Sequence, residues 1–318
     1  MHVVLYHHAR LPVRGYGGTE RVVVWLTRGL AALGHRVTLL APRGSRVPEA
    51  ELIALDPAAL RRREFDLAAQ LPAAFDILHL HGPRYLPAGV PHVFTLHGNS
   101  KPGVTRPANT IYVSADHARR HGASAFVHNG VDPGEFVFRR AKGDYDLFLG
   151  RLHGLKGYRW AIEGARASGR RLVLAGGWRP SVRRGVRFVG SVDGAAKAEW
   201  LAGARCLWMP ARWDEPFGLT AVEAMMSGTP VLGTRRGALP EVITPDVGAL
   251  GDSVAELAAL AHDIERIDPL ACRARAERHF SHRVMAERYL RMYQGFLETG
   301  SLPEGVLPPG RAATLDLP

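Results

Sequence analysis

DEPFGLTAVEAMMSGTPV, residues 214–231, sets two carboxylates, Glu215 and Glu223, around a glycine turn and an apolar run. The apolar run predicts a helix over 217–228. ARCLWMP before it and TPVLG after it predict strands, so the segment is a strand-helix-strand unit of a parallel sheet. The N–H groups of Gly218, Leu219 and Thr220 fall in the first helical turn, where they lack intrahelical partners and the helix dipole is positive. An anion is favoured there, and Gly218 has no Cβ to keep it away. Glu215 and Glu223, about 12 Å apart on an ideal helix, would bracket a diphosphate, each accepting from hydroxyls on one side of it. Taken singly, each is as well explained as a helix cap or a salt-bridged surface carboxylate.

The same rhythm extends in both directions. HVVLY (2–6) reads as a first strand, GYGGTE (15–20) as a loop, and the run from Glu20 to Gly34 as a helix. HRVTLLA, ELIALD, DILHL, HVFTL and TIYVS predict further strands, and PAALRRREFDLAAQL and ADHARRH shorter helices. NGVDPGEFVFRRAKGDYD, 129–146, is rich in Gly, Pro and charge, after which the alternation restarts with DLFLG, RLVLAG and GVRFVG. Helices are expected near 157–168 and 194–203, and helical patterns dominate from Ser253 to Glu298. The expected division is a first domain over 1–140, a second over 141–298, and a mobile tail over 299–318. Two such α/β domains imply a ligand-binding cleft between their strand C-termini.

Composition narrows the class. Over 318 residues, 46% are hydrophobic and 22% charged, a globular mixture with material for two cores. No apolar run approaches the ~20 residues of a membrane span, and the opening MHVVLYHHAR lacks a signal-peptide pattern, so a cytoplasmic location is expected. Two cysteines, Cys206 and Cys272, exclude a disulfide framework. The formal charge of +11 favours anionic partners. Basic groups such as Arg61-Arg62-Arg63, Arg119-Arg120 and Arg183-Arg184 lack aromatic interleaving, so nucleic acid is not the expected partner.

With EPFGL before the second glutamate and AMMSGTPV after it, the chain resembles family 4 glycosyltransferases of the GT-B fold, which carry E-x7-E in this setting. The resemblance implies two Rossmann-like domains facing across a cleft, acceptor on the first and nucleotide-sugar donor on the second. It extends to GRLHGLKG, 150–157, where Arg151 and Lys156 would hold the donor diphosphate. A guanidinium fork and an ammonium suit a leaving pyrophosphate. Phe217, Gly218, Leu219 and Thr220 would form the amide-lined helix start, with Glu215 and Glu223 accepting sugar and ribose hydroxyls. RLVLAGG and VRFVGSVDG resemble the wall for base and ribose, making Gly190, Ser191 and Val192 candidates there, although a glycine after a strand also serves a simple turn.

In the first domain, GYGGTE resembles the family's glycine-rich loop, with Gly17 and Gly18 near the donor phosphates. His97 would face the reacting sugar, orienting it or stabilising developing charge. His7, His8, His79 and His81 also lie near strand ends, and HLH puts His79 and His81 on one strand face. No carboxylate or cysteine completes a metal set, so ordinary hydrogen-bonded histidines are expected. D-Y-D at 144–146 resembles a metal-binding D-x-D of other sugar transferases, but it falls in the linker. The resemblance therefore implies metal-independent, retaining transfer to an acceptor hydroxyl, without cofactor. The acceptor would be a sugar, a lipid-linked molecule or a small molecule, with peripheral membrane contact a further expectation from +11. A nucleotide-sugar epimerase, a phosphorylase, or a basic module docking on anionic surfaces are the alternatives.

Overall fold

The computed structural model describes residues 1–62, 64–82, 86, 89–101, 103–179 and 184–308. Arg63 and Arg183 of the basic groups and positions 309–318 of the expected tail lie outside the described residues. The first sheet contains β1 (His2–Tyr6), β2 (Arg36–Pro42), β3 (Glu51–Leu55), β4 (Ile77–Leu80), β5 (His92–Leu96) and β6 (Thr110–Tyr112). These run parallel in the order β3-β2-β1-β4-β5-β6. Val3 to Tyr6 and Ile77 to Leu80 are wholly buried, as central strands covered on both faces must be. α1 (Gly18–Ala32) lays Val22, Val23, Trp25, Leu26 and Leu30 inward, and α2 (Ala115–Arg120) follows β6.

The helix expected across PAALRRREFDLAAQL is replaced by single 3₁₀ turns at Ala59–Arg61 and Ala68–Gln70. Aspartates open each turn: Asp56 accepts from the Ala58 N–H at 3.0 Å, and Asp66 from the Ala68 N–H at 2.9 Å. Such side chains compete with helical hydrogen bonding. Leu60 and Leu67 still reach the core beside Leu40, Leu55 and Leu78.

The second sheet contains β7 (Asp146–Leu149), β8 (Leu172–Ala175), β9 (Val186–Phe188), β10 (Leu207–Met209), β11 (Val231–Gly233) and β12 (Gly248–Leu250), all parallel, in the order β12-β11-β10-β7-β8-β9. Read from its other edge, this repeats the first sheet's order. β12 is a three-residue strand that no apolar run announces. α3 (Tyr158–Ala167), α4 (Gly194–Gly203), α5 (Leu219–Met226), α6 (Leu239–Val242), α7 (Val254–Asp263) and α8 (Pro269–Phe280) accompany it, and α9 (His282–Thr299) closes the series. Both cysteines are buried free thiols, and burial pushes Cys272 up to about 12. In each sheet the chain order reverses at one strand pair, β1/β4 and β7/β10, where ligands of such sheets bind beyond the strand C-termini.

The chain divides into one unit of Met1–Val131 with Ser281–Val306 and another that includes Asp132–Phe280. The division falls earlier than the expected 140/141, and α9 belongs to the first unit rather than the second. Its buried residues Met285, Ala286, Tyr289, Met292 and Tyr293 form one face. Gly29 of α1 lets the backbones meet, since a Cβ there would stand 2.4 Å from the His282 carbonyl. Of the expected tail, Gly305 donates to the Ser124 carbonyl at 3.0 Å.

Candidate functional site

The strand ends of the second sheet are brought close by glycines. Gly150, Gly176 and Gly190 follow β7, β8 and β9, with the Gly150 N–H donating to Ala175 and the Gly176 N–H to Gly190. A Cβ on Gly176 would lie 2.2 Å from the Gly150 carbonyl. This places Arg151, exposed, beside the β8 and β9 ends, and exposed Ser191 and half-buried Val192 just before α4. Gly190 has φ 76 and bridges Gly177, so its lack of a side chain serves a left-handed turn.

Lys156 closes a 3₁₀ turn after β7, and Gly157 follows at φ 75. A Cβ at Gly157 would stand 1.7 Å from the Pro210 carbonyl, so only glycine lets the loop after β7 lie against the loop after β10. The result is an ion pair: Lys156 Nζ lies 2.8 Å from Glu215 Oε2. Trp213 Nε1 donates to the same oxygen at 2.9 Å, and the ammonium sits 4.6 Å from the Trp213 ring centroid. Glu215 is 8% exposed, with its backbone clamped by the turn after β11. Ala238 donates to its carbonyl at 2.9 Å, and Gly237, at φ 61, approaches so closely that a Cβ would meet the Glu215 nitrogen and oxygen at 2.4 Å. An ammonium has three donors, so Lys156 can hold Glu215 and still reach an anion.

The helix begins at Leu219, two residues later than expected, with Phe217 buried before it. Gly218 caps it at φ 95, and a Cβ there would meet Leu239 at 2.8 Å; glycine is required by conformation and packing as well as by any ligand. The Leu219 and Thr220 N–H groups precede the first helical bond, from Ala221 to Gly218 at 2.9 Å, so they lie outside the helix's own ladder. Glu215 therefore lies outside the helix and Glu223 within it, which removes the helical geometry used to space them.

The two carboxylates have different lysines. Glu223 is 5% exposed and accepts from Lys197 Nζ at 2.7 Å, with Lys197 lying 5.5 Å from the Phe136 ring centroid. Lys197 was not among the residues singled out from the sequence. Its signal is a lysine among alanines in the helix GAAKAEWLAG, whose only other charged residue is Glu199, at a position that burial permits only with a partner. Gly237 was missed too.

D-Y-D takes a structural role. Asp146 is buried at the start of β7, opposite the Gly150 end, accepting from Trp208 Nε1 at 2.9 Å, Arg170 Nη1 at 3.1 Å and Arg205 Nε at 3.2 Å. Asp144 pairs with Arg171 at 2.8 Å.

In the first unit the reversal point carries histidines. His7 and His8 follow β1, His79 lies in β4, and His81 and His97 follow β4 and β5. His79 bridges Thr95 Oγ1 and the Tyr293 hydroxyl, each at 2.7 Å, as an ordinary buried histidine. His81 Nδ1 and His97 Nε2 are hydrogen-bonded at 2.9 Å. Burial pushes His97 down to about 3, helped by His7 and His117, so both rings are neutral at physiological pH. Gly17, extended at φ 167, precedes α1, which starts at Gly18 without a side-chain cap. A Cβ on Gly17 would crowd Val13 and Glu20.

Residues 145–267 match the family model described as Glycosyl transferases group 1, and residues 16–135 the one described as Glycosyltransferase Family 4. A phosphatidyl-myo-inositol mannosyltransferase of Mycobacterium leprae is 27% identical, with 90% of this chain and 95% of that one covered. AviGT4, a glycosyltransferase involved in avilamycin A biosynthesis, matches with a TM-score of 0.76 and 29% identity over 95% of this chain and 99% of that one. HepE of Anabaena, solved with UDP and glucose, shares the fold at TM-score 0.68 and 15% identity, over 93% and 100% of the two chains.

Proposed function

From the chain's membership of glycosyltransferase family 4, an enzyme family of the GT-B fold, we propose that it transfers a sugar from a nucleoside-diphosphate sugar to an acceptor hydroxyl with retention and without a metal. Family membership favours transfer over the epimerase, phosphorylase and surface-module readings. The Lys156–Glu215 pair carries the proposal. It holds one ammonium on the carboxylate that precedes the Leu219 and Thr220 N–H groups by four and five residues, with Arg151 on the same loop as Lys156, so that the diphosphate would gain cations and amides where its charge grows. Glu223 accepts from ribose hydroxyls while remaining bonded to Lys197, and Gly190, Ser191 and Val192 border the base.

Metal independence is supported by D-Y-D being committed to three arginines and a tryptophan, and by protein cations filling the electrostatic role a divalent ion would have. A neutral His97 near pKa 3 is a weak base at pH 7, which suits orientation by its ring while the leaving phosphate takes the acceptor proton. The charge of +11 and the mannosyltransferase relative's name favour a lipid-borne acceptor reached by peripheral membrane contact. No helix among the described residues is long and apolar enough to cross a membrane.

Calorimetry with UDP, GDP, ADP and TDP, followed by mass spectrometry and NMR of products, tests the reading. Saturable binding of at least one nucleotide, transfer persisting in EDTA and an unchanged anomeric configuration are expected. No nucleotide binding sinks the donor site; loss of transfer in EDTA sinks metal independence; an inverted product sinks retention.

A further inference from the structure

The first unit contains a second candidate ligand site. The described residues of the connection from β5 to β6 and the end of α2 line an open cavity of about 780 Å³ along β6, with both Thr110 and Tyr112 in its wall. That volume suits a small ligand. Its lining includes Lys101, Arg106 and Arg120 and no carboxylate.

The two arginines are held in place, while Lys101 is exposed. Arg120 donates from Nε to Asp116 Oδ2 at 2.6 Å and from Nη1 to Asn99 Oδ1 at 3.1 Å, while its Nη2 is buried without a hydrogen-bond partner. Arg106 is fixed through Nε to Ser100 Oγ at 2.8 Å. Thr110, 2% exposed, has a hydroxyl oxygen that likewise lacks a partner. Unmet buried polar groups favour a ligand that satisfies them. His121 is already engaged by the Ser100 N–H and the His117 carbonyl, so it is wall rather than ligand.

We infer that this cavity binds the phosphoryl group of a phosphorylated ligand, at a site separate from the donor diphosphate site. With Arg120 already paired to Asp116, Lys101 and Arg106 leave about two positive charges, which a phosphate monoester, with nearly two negative charges and three acceptor oxygens, matches better than a carboxylate does. The inference is independent of the donor assignment. Two sources share this chemistry: a soluble sugar phosphate and a lipid headgroup. Val104, 45% exposed on the lining, gives the second an apolar contact beside the cations.

The probe is inorganic phosphate, titrated by calorimetry into the full chain carrying Lys156→Ala, which removes one cation of the donor site. Saturable binding is expected, weakened about 10-fold or more by adding Arg106→Gln and less by Lys101→Ala, with circular dichroism confirming that each variant folds. Absent binding, or binding that both variants leave intact, overturns the site. Flotation with vesicles of equal parts phosphatidylcholine and phosphatidylglycerol separates the sources. Flotation that Arg106→Gln weakens and phosphate competes away assigns a headgroup; phosphate binding without such flotation assigns a soluble ligand.

Discussion

The two six-stranded sheets share one strand order and one kind of reversal point, yet the side chains at those points differ in charge. Around β1 and β4 stand histidines that burial keeps neutral and that bond to one another and to tyrosine and threonine. Around β7 and β10 stand lysines and glutamates paired as ions. A common scaffold places strand ends, and the loop residues decide what those ends hold. One rim carries paired ions and the other carries hydrogen bonds between uncharged side chains.

The sharpest way to break the contrast is to unpair the buried ions. Glu223→Ala leaves Lys197 buried without its carboxylate, and should destabilise the second unit by about 3–5 kcal/mol in thermal or denaturant unfolding. Glu223→Gln keeps an acceptor, and should cost less stability while weakening nucleotide affinity in calorimetry. Loss below about 1 kcal/mol for the alanine variant would mean that Lys197 finds water or another partner. Next comes Lys156→Ala. Turnover should fall about 100-fold or more, equivalent to roughly 3 kcal/mol in the barrier, while stability falls less than in Glu223→Ala because the ammonium is partly exposed and Glu215 keeps its hydrogen bond from Trp213. Near-normal turnover would remove Lys156 from the diphosphate site.

Much of this was legible in the sequence, and for identifiable reasons. β1 and β5 coincide with HVVLY and HVFTL, and α4 with 194–203, because buried parallel strands and capped helices leave local patterns. The turns at Ala59–Arg61 and Ala68–Gln70 were read as helix because apolar spacing carries no record of an aspartate diverting the backbone. α9 clusters with the first unit although it follows the second in sequence, because sequence order does not reveal that Gly29 leaves room for it. Glu215 and Glu223 were visible as a pair, but their lysines lie 59 and 26 positions away in sequence. The close approach at Gly157 that joins Lys156 to Glu215 is equally non-local.

Acid should separate the two rims more gently. Among the described residues, the histidines pushed down by burial all belong to the first unit: His7, His35, His79, His81, His97 and His117. A histidine depressed in the folded state is neutral in both states well above 6.5, so its titration leaves stability unchanged there. As the pH drops below 6.5, the unfolded chain binds protons that the folded rim refuses, and folding weakens until His97 and His117 protonate near 3. Each such histidine contributes a loss of up to about 1.4 kcal/mol per pH unit in that window. Hydrogen exchange, corrected for its intrinsic pH dependence and compared at about pH 7 and about pH 5, should show protection falling first in β4, β5 and α9. The second sheet's strands should keep more of theirs. Equal losses in both sheets would mean that the neutral histidines do not set the first unit's acid limit, and the contrast between the rims would then concern ligand chemistry alone.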